Sequence, residues 1–210
     1  MPEGDAVRRL AGTLDELFVG GIVSASSPQG RFASSAALLD GWVMQRVRVH
    51  GKHMFIGFVP PTPGERYEAG VSLLEGAAAG SGEPLLGEDA PWPDRWVHIH
   101  LGLYGWWRFN GDETVVDEGH GVAHRIPNVA KGEWNGHSET RWGEGFGEAK
   151  VGEWEPPEPV GAVRLRVYND HAVADLIGPN RCDLITDEER ITAEAKLGPD
   201  PLDAGARSDA

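Results

Sequence analysis

The sequence predicts a mainly β fold with flanking helices: a two-sheet β-sandwich (flattened barrel) with an N-terminal helix and a C-terminal helix. Three observations lead there. The chain opens on a helical stripe. It continues in roughly seven or eight short strand-like runs separated by Gly- and Pro-rich turns. It closes on a segment that starts with a helix-capping signature. No internal repeat is visible, and 210 residues suffice for one domain.

The first helix rests on Val7, Leu10, Leu14, Leu17 and Phe18, a spacing that lines up one apolar stripe. "VGG" at 19–21 ends it. "WVMQRVRV" (42–49) and "HMFIGFV" (53–59) read as strands joined by the tight turn "HGK" (50–52). Residues from about 60 to 95 form a Gly/Pro-rich insertion whose composition defeats regular pairing. "WVHIHLGLYGWWRF" (96–109) restarts the strand pattern, with Val97, Ile99 and Leu101 alternating with His98 and His100. A second insertion, rich in Gly, Glu and Trp, covers about 111 to 160. "AVRLRV" (162–167) and "AVADLI" (172–177) read as a hairpin around "YNDH", and "GPNRC" (178–182) as a turn. "TDEE" fits a capping box with Thr186 as N-cap and Glu189 reaching back, and the helix it opens should stop near Gly198 and Pro199.

Hydrophobic residues make up 40% of the chain, enough for a core, yet no apolar run approaches the roughly 20 residues of a membrane span. The N-terminus is polar and helical, unlike a secretory signal. The single cysteine, Cys182, excludes an internal disulfide and a four-cysteine zinc ribbon within these residues. The expectation is a cytoplasmic, non-secreted monomer. The net charge of −14 argues against a nucleic-acid partner until its distribution is considered. Residues 1–58, 96–110 and 159–182 together carry about +3, whereas 59–95, 111–158 and 183–210 carry −5, −7 and −5. The acid is concentrated in the insertions and the tail.

The order of short motifs is more informative than any one of them. "PEGD" at 2–5 opens the first helix, "GKHMF" leads into a strand, "HIHLGLYG" ends another, and "GPNRC" and "LGPDPL" follow. Together they resemble the Fpg/Nei family of DNA glycosylases with AP-lyase activity, most closely an actinobacterial endonuclease VIII-like branch. The resemblance covers most of 1–58, 96–105 and 162–202. It implies an N-terminal catalytic domain over 2–202, with 203–210 starting a linker to a helix–two-turns–helix and finger region. The structural zinc of such proteins would lie in that region, so no cofactor is expected here.

The resemblance also implies roles. Initiator Met is removed before a small residue, which would expose Pro2 as a secondary amine. Such an amine can form a Schiff base with the sugar C1′. Its reference pKa of roughly 7.7–8.0 leaves it partly unprotonated at neutral pH, and a helix N-terminus would lower it further. Glu3 is then the proton-transferring carboxyl group, and Lys52 the cation that grips a phosphate near the lesion and assists proton donation. Leu103 matches the apolar wedge that fills the gap left by an extruded nucleotide. Tyr104 follows it, His100 falls near the DNA backbone, and Arg181 matches a phosphate-clamping arginine. Asn180 and Cys182 stand where the formamidopyrimidine branch carries Arg and Phe wedges, which argues against that branch's substrate preference. The implied activity is base excision of oxidised bases with cleavage at abasic sites, in a nucleoid-associated bacterial enzyme. The alternative is a DNA-binding module that keeps the fold without the chemistry.

Each residue also has a plainer role available. Pro2 and Glu3 could simply open a helix, Lys52 could be a solvated turn residue, Leu103 and Tyr104 could be core, and Arg181 could pair with Asp183. His98 and His100 share a strand face, but a metal site needs a third ligand and none is indicated.

Overall fold

A computed structural model of the chain describes residues 3–61, 92–111 and 154–198. Pro2, most of the two insertions (62–91 and 112–153) and the tail from Pro199 lie outside the described residues.

Helix α1 (Glu3–Phe18) is followed by strand β1 (Ile22–Ser26), a short helix α2 (Ala33–Leu39), and strands β2 (Trp42–His50) and β3 (His53–Val59). Strands β4 (Arg95–His100) and β5 (Trp106–Gly111) follow the first insertion. After the second come β6 (Val163–Tyr168), β7 (Ala172–Ile177), β8 (Arg181–Ile185) and helix α3 (Asp187–Leu197). The eight strands form one antiparallel ladder in the order β5-β7-β6-β1-β2-β3-β4-β8.

Strand β1 explains how one ladder yields the two-sheet arrangement. Ile22 and Val23 pair with β2, whereas Ser24, Ala25 and Ser26 pair with β6. The strand therefore belongs to both halves. A single buried cluster unites Met44, Ile56 and Val97 of one half with Leu165, Ala174 and Leu176 of the other, so the sheet folds over on its own core. It is open rather than closed, with β5 and β8 as its edges.

Helix α1 plugs this core with Val7, Leu10, Leu14 and Phe18, the stripe visible in the sequence. Its C-terminal end is tied to the start of β2, where Gly20 N–H donates to the Met44 carbonyl (2.8 Å) and Met44 N–H to the Gly21 carbonyl (3.0 Å). The "YNDH" hairpin turn adds a second tie. Asn169 Oδ1 accepts from the His171 and Ala172 amides, and its Nδ2 donates to the Leu17 carbonyl at 3.0 Å.

Two elements differ from the sequence reading. Helix α2 lies between "VGG" (19–21) and "WVMQRVRV" (42–49), where the sequence pattern predicts no helix. It forms because Ala36 and Leu39 drop into the core and the Asp40 side chain at its end accepts from the Ala25 amide at 2.8 Å. The turn "GPNRC" is shorter than its motif: Arg181 and Cys182 are already in β8, paired with His100 and Ile99. Cys182 therefore faces the core and does not take the place of a wedge.

Helix α3 begins with the expected capping box: Thr186 accepts from the Glu189 amide, and Glu189 accepts from the Thr186 amide. It lies on the outer face of the β2-β3-β4-β8 half. There Arg190 bonds Asp187 and Glu194 and stacks over Trp96, 4.8 Å from the ring centre.

Candidate nucleic-acid interface

Register places the predicted residues. On the outer face of the β2-β3-β4-β8 half, His50 lies opposite His53, His53 opposite His100, and His100 opposite Arg181. Directly opposite residues share a face, so these four form one row across the end of the sheet. The next row is Arg48, Phe55, His98 and Asp183. Lys52 sits in the turn between His50 and His53, at the same end. The turn 101–105, which carries Leu103 and Tyr104, and the turn 178–180, which leads into Arg181, also meet there.

These two turns are seated on each other. The Asn180 amide donates to the Leu101 carbonyl at 3.3 Å. Gly102 has a φ of +67°, and a Cβ on it would fall 2.8 Å from the Asn180 Cβ, so this approach needs glycine. With the turns packed by backbone, the side chains at their tip are left outside. Leu103 is 77% exposed and Tyr104 75% exposed. Two adjacent large apolar groups in water at a turn tip favour an interaction surface over a core role.

The row is basic at its edge. Arg181 Nε donates to Asp183 Oδ2 at 2.6 Å, with both side chains about half exposed. The plainer role for Arg181 is thus real in the isolated chain, but such an exposed pair is weak, and a guanidinium offers further donors to a phosphate. At the other end of the row, His50 Nε2 donates to the Gly198 carbonyl at 2.7 Å, which anchors the end of α3.

Between them the imidazoles interact directly. His53 Nδ1 and His98 Nε2 lie 2.8 Å apart, His98 stacks on Phe55 with ring centres 4.4 Å apart, and the His53 and His100 ring centres are 4.6 Å apart. Burial first, then the neighbouring His100 and Arg181, pushes His53 down to about 4. Burial, then Arg181 and His53, lowers His98 to about 4 as well, against a smaller opposing pull from Asp183. Both rings are neutral at physiological pH. Among the described residues no group of three His, Cys, Asp or Glu side chains is arranged to hold a metal ion.

The structure thus gathers Lys52, His100, Leu103, Tyr104 and Arg181 at one end of the sheet. Pro2 lies outside the described residues, and of Glu3 only the backbone is described, as the first residue of α1. The sequence reading missed the parts of His53 and His98. The histidines are visible in the sequence, one after Lys52 at the start of a strand and two in "HIH" on another, but only the register of β3 against β4 brings the rings together.

An open antiparallel sheet with a basic row, exposed apolar tips and no membrane-length apolar helix among the described residues defines a β-sandwich domain with a candidate polyanion-binding edge. Comparison with known proteins narrows this. Endonuclease 8 1 of Mycobacterium tuberculosis is 33% identical over 210 residues, covering 100% of this chain and 50% of that protein. The Mycobacterium bovis protein of the same name matches to the same extent. The chain spans about half the length of the curated relatives it matches. Among solved structures, Lactococcus lactis Fpg in a complex with abasic-site DNA aligns with a TM-score of 0.47 at 13% identity, over 93% of this chain and 46% of that one. MutM in complex with carbocyclic 8-oxo-G containing DNA aligns with a TM-score of 0.47 at 12% identity, over 93% and 48%. No family model matches the chain. The likeness to Endonuclease 8 1 along the whole of this chain supports an N-terminal domain of the Fpg/Nei type of DNA glycosylase.

Proposed function

We propose that this chain is the catalytic domain of a base excision repair enzyme that removes oxidised bases and cleaves at abasic sites through an N-terminal proline Schiff base. One observation carries the reading. A likeness to Endonuclease 8 1 along the whole of this chain, over half of that protein, coincides with Lys52, His100, Leu103, Tyr104 and Arg181 converging at one end of the sheet.

Helix α1 opens at Glu3, the residue that follows Pro2 in the sequence. The helix has 16 residues, a span of about 24 Å, and its C-terminal end is held at Met44. From Met44 to His50 the strand covers about 20 Å. The helix packs mainly against β2, the strand that leads from that anchor to the 51–52 turn, and in the proposed enzyme the Pro2 amine acts beside Lys52. The α-amine is a suitable nucleophile there, because it is partly unprotonated at neutral pH and a helix N-terminus favours its neutral form.

In this mechanism the Pro2 nitrogen bonds to the sugar C1′ as the glycosidic bond to the base breaks. The base departs with a proton, the amine gives up its own, the C1′–O4′ bond opens as O4′ takes a proton, and an iminium then joins chain and sugar. Glu3 handles the proton at the sugar. Lys52 and Arg181 hold flanking phosphates, with His100 beside the backbone. Leu103 enters the stack in place of the extruded nucleotide, and Tyr104 packs behind it. No cofactor is needed within these residues. A bacterial cytoplasmic enzyme working on nucleoid DNA as a monomer fits this reading.

Borohydride trapping tests it. Borohydride reduces the iminium to a stable amine, so the Met-processed chain should become covalently linked to abasic-site DNA at low salt. Pro2→Gly should lose at least about two orders of magnitude of that adduct, because a covalent route is removed outright. DNA binding without an adduct in wild type, with Pro2 confirmed as the first residue, would favour the non-catalytic DNA-binding module.

A further inference from the structure

We propose that His53 and His98 form a hydrogen-bonded imidazole pair that positions the Lys52 turn and the His100–Arg181 edge against a DNA phosphate, an inference that rests on the functional reading above. A separation of 2.8 Å between His53 Nδ1 and His98 Nε2 leaves room for one proton. One ring donates and the other accepts. Two doubly protonated rings could not share that contact, so the pair exists only while at least one nitrogen of the two carries a lone pair.

Each ring is held by something else. His98 is buried and lies flat on Phe55. His53 follows Lys52 directly and starts β3. The bond therefore ties the Lys52 turn to a fixed point in the sheet. On its other side the His53 ring rests against His100, whose cross-strand partner is Arg181. Loss of the bond would loosen the turn and the edge together.

Burial first, and then the charges facing the pair, keep it neutral. His50 on β2, His100 on β4 and Arg181 on β8 all oppose a further positive charge, and only Asp183 on β8 favours one. Positive charge for a phosphate then comes from Lys52 and Arg181, and the pair supplies geometry. His53 and His98 are positioning residues that act through their neighbours.

The test combines imidazole titration by nitrogen-15 NMR with the Kd of the 210-residue chain for an abasic-site duplex at pH 5.5 and 7.5. In wild type both rings should stay neutral across that range. His98→Phe keeps the stacking on Phe55 and removes the hydrogen bond. It should raise Kd about three- to tenfold at both pH values, the worth of one such bond. His98→Gln, which returns an amide to the same bond, should recover most of the affinity. Should His98→Phe fail to fold, His53→Phe, which keeps the ring against His100, is expected to show the same loss at pH 7.5. A folded variant with wild-type Kd at both pH values, or wild-type rings that titrate near 6.5, overturns the pair. Absence of wild-type binding overturns the functional reading itself, whereas normal wild-type binding with a silent variant overturns only this inference.

Discussion

At the scale of single residues, the histidines connect site and stability. A buried ring held neutral by its neighbours must gain a proton when the chain unfolds in mild acid. His53 and His98 are pushed down from 6.5 to about 4. Between those values the unfolded chain binds protons that the native chain does not. Stability therefore falls as pH is lowered through this window, and the full contribution is present above about pH 6.5. The melting temperature should drop from pH 7 to pH 5. The drop should be shallower in His98→Phe, where one of the two groups is gone. Parallel pH slopes for the two proteins in circular-dichroism melts would contradict this assignment. Single residues were also the least legible part of the site. Lys52, His100, Leu103, Tyr104 and Arg181 could be named because short motifs preserve their identities in order. The partnership of His53 with His98 depends on the register of β3 against β4, which no local pattern encodes.

At the scale of elements, local signals were reliable where one strong physical term acted alone. The stripe of α1, the capping box of α3 and the turn around Asn169 each follow from spacing or side-chain chemistry within a few residues. Helix α2 and the start of β8 were missed because tertiary contacts decide them: burial of Ala36 and Leu39 in one case, pairing with β4 in the other. Gly57 shows the same limit. It reads as a weak point in a strand, yet a Cβ there would lie 2.6 Å from the Pro93 Cγ and 3.0 Å from the Trp96 ring. Its bare backbone lets the incoming end of the first insertion lie flat on β3 and lets Trp96 pack beneath α3. Gly57→Ala should cost about 1–3 kcal/mol through overpacking, read as a lower urea midpoint at unchanged m-value. A midpoint equal to wild type would show that Pro93 and Trp96 move aside without penalty.

At the scale of the whole molecule, charge and shape point in opposite directions, and shape should win. A net charge of −14 would repel DNA if it were spread evenly. The segments 62–91 and 112–153 hold −5 each by sequence, and the first leaves and rejoins the sheet at the Val59 and Arg95 ends, away from the Lys52 turn. Within a Debye length of about 8–10 Å, a phosphate at the candidate edge is governed by Lys52 and Arg181 rather than by the sum. Few cations act there, so the salt dependence should be real but shallow. With about two to three phosphates neutralised, the slope of log affinity against log salt is about −1.8 to −2.7, and affinity for an abasic-site duplex falls about 12- to 42-fold between 50 and 200 mM salt. Arg181→Ala should flatten that slope by about one, because it removes one phosphate contact. Fluorescence anisotropy across a salt series measures both quantities. A slope near zero would mean that phosphates are not what this edge holds. A slope steeper than about −5 would demand more cations than the edge presents, and would move the binding surface to another face of the sheet.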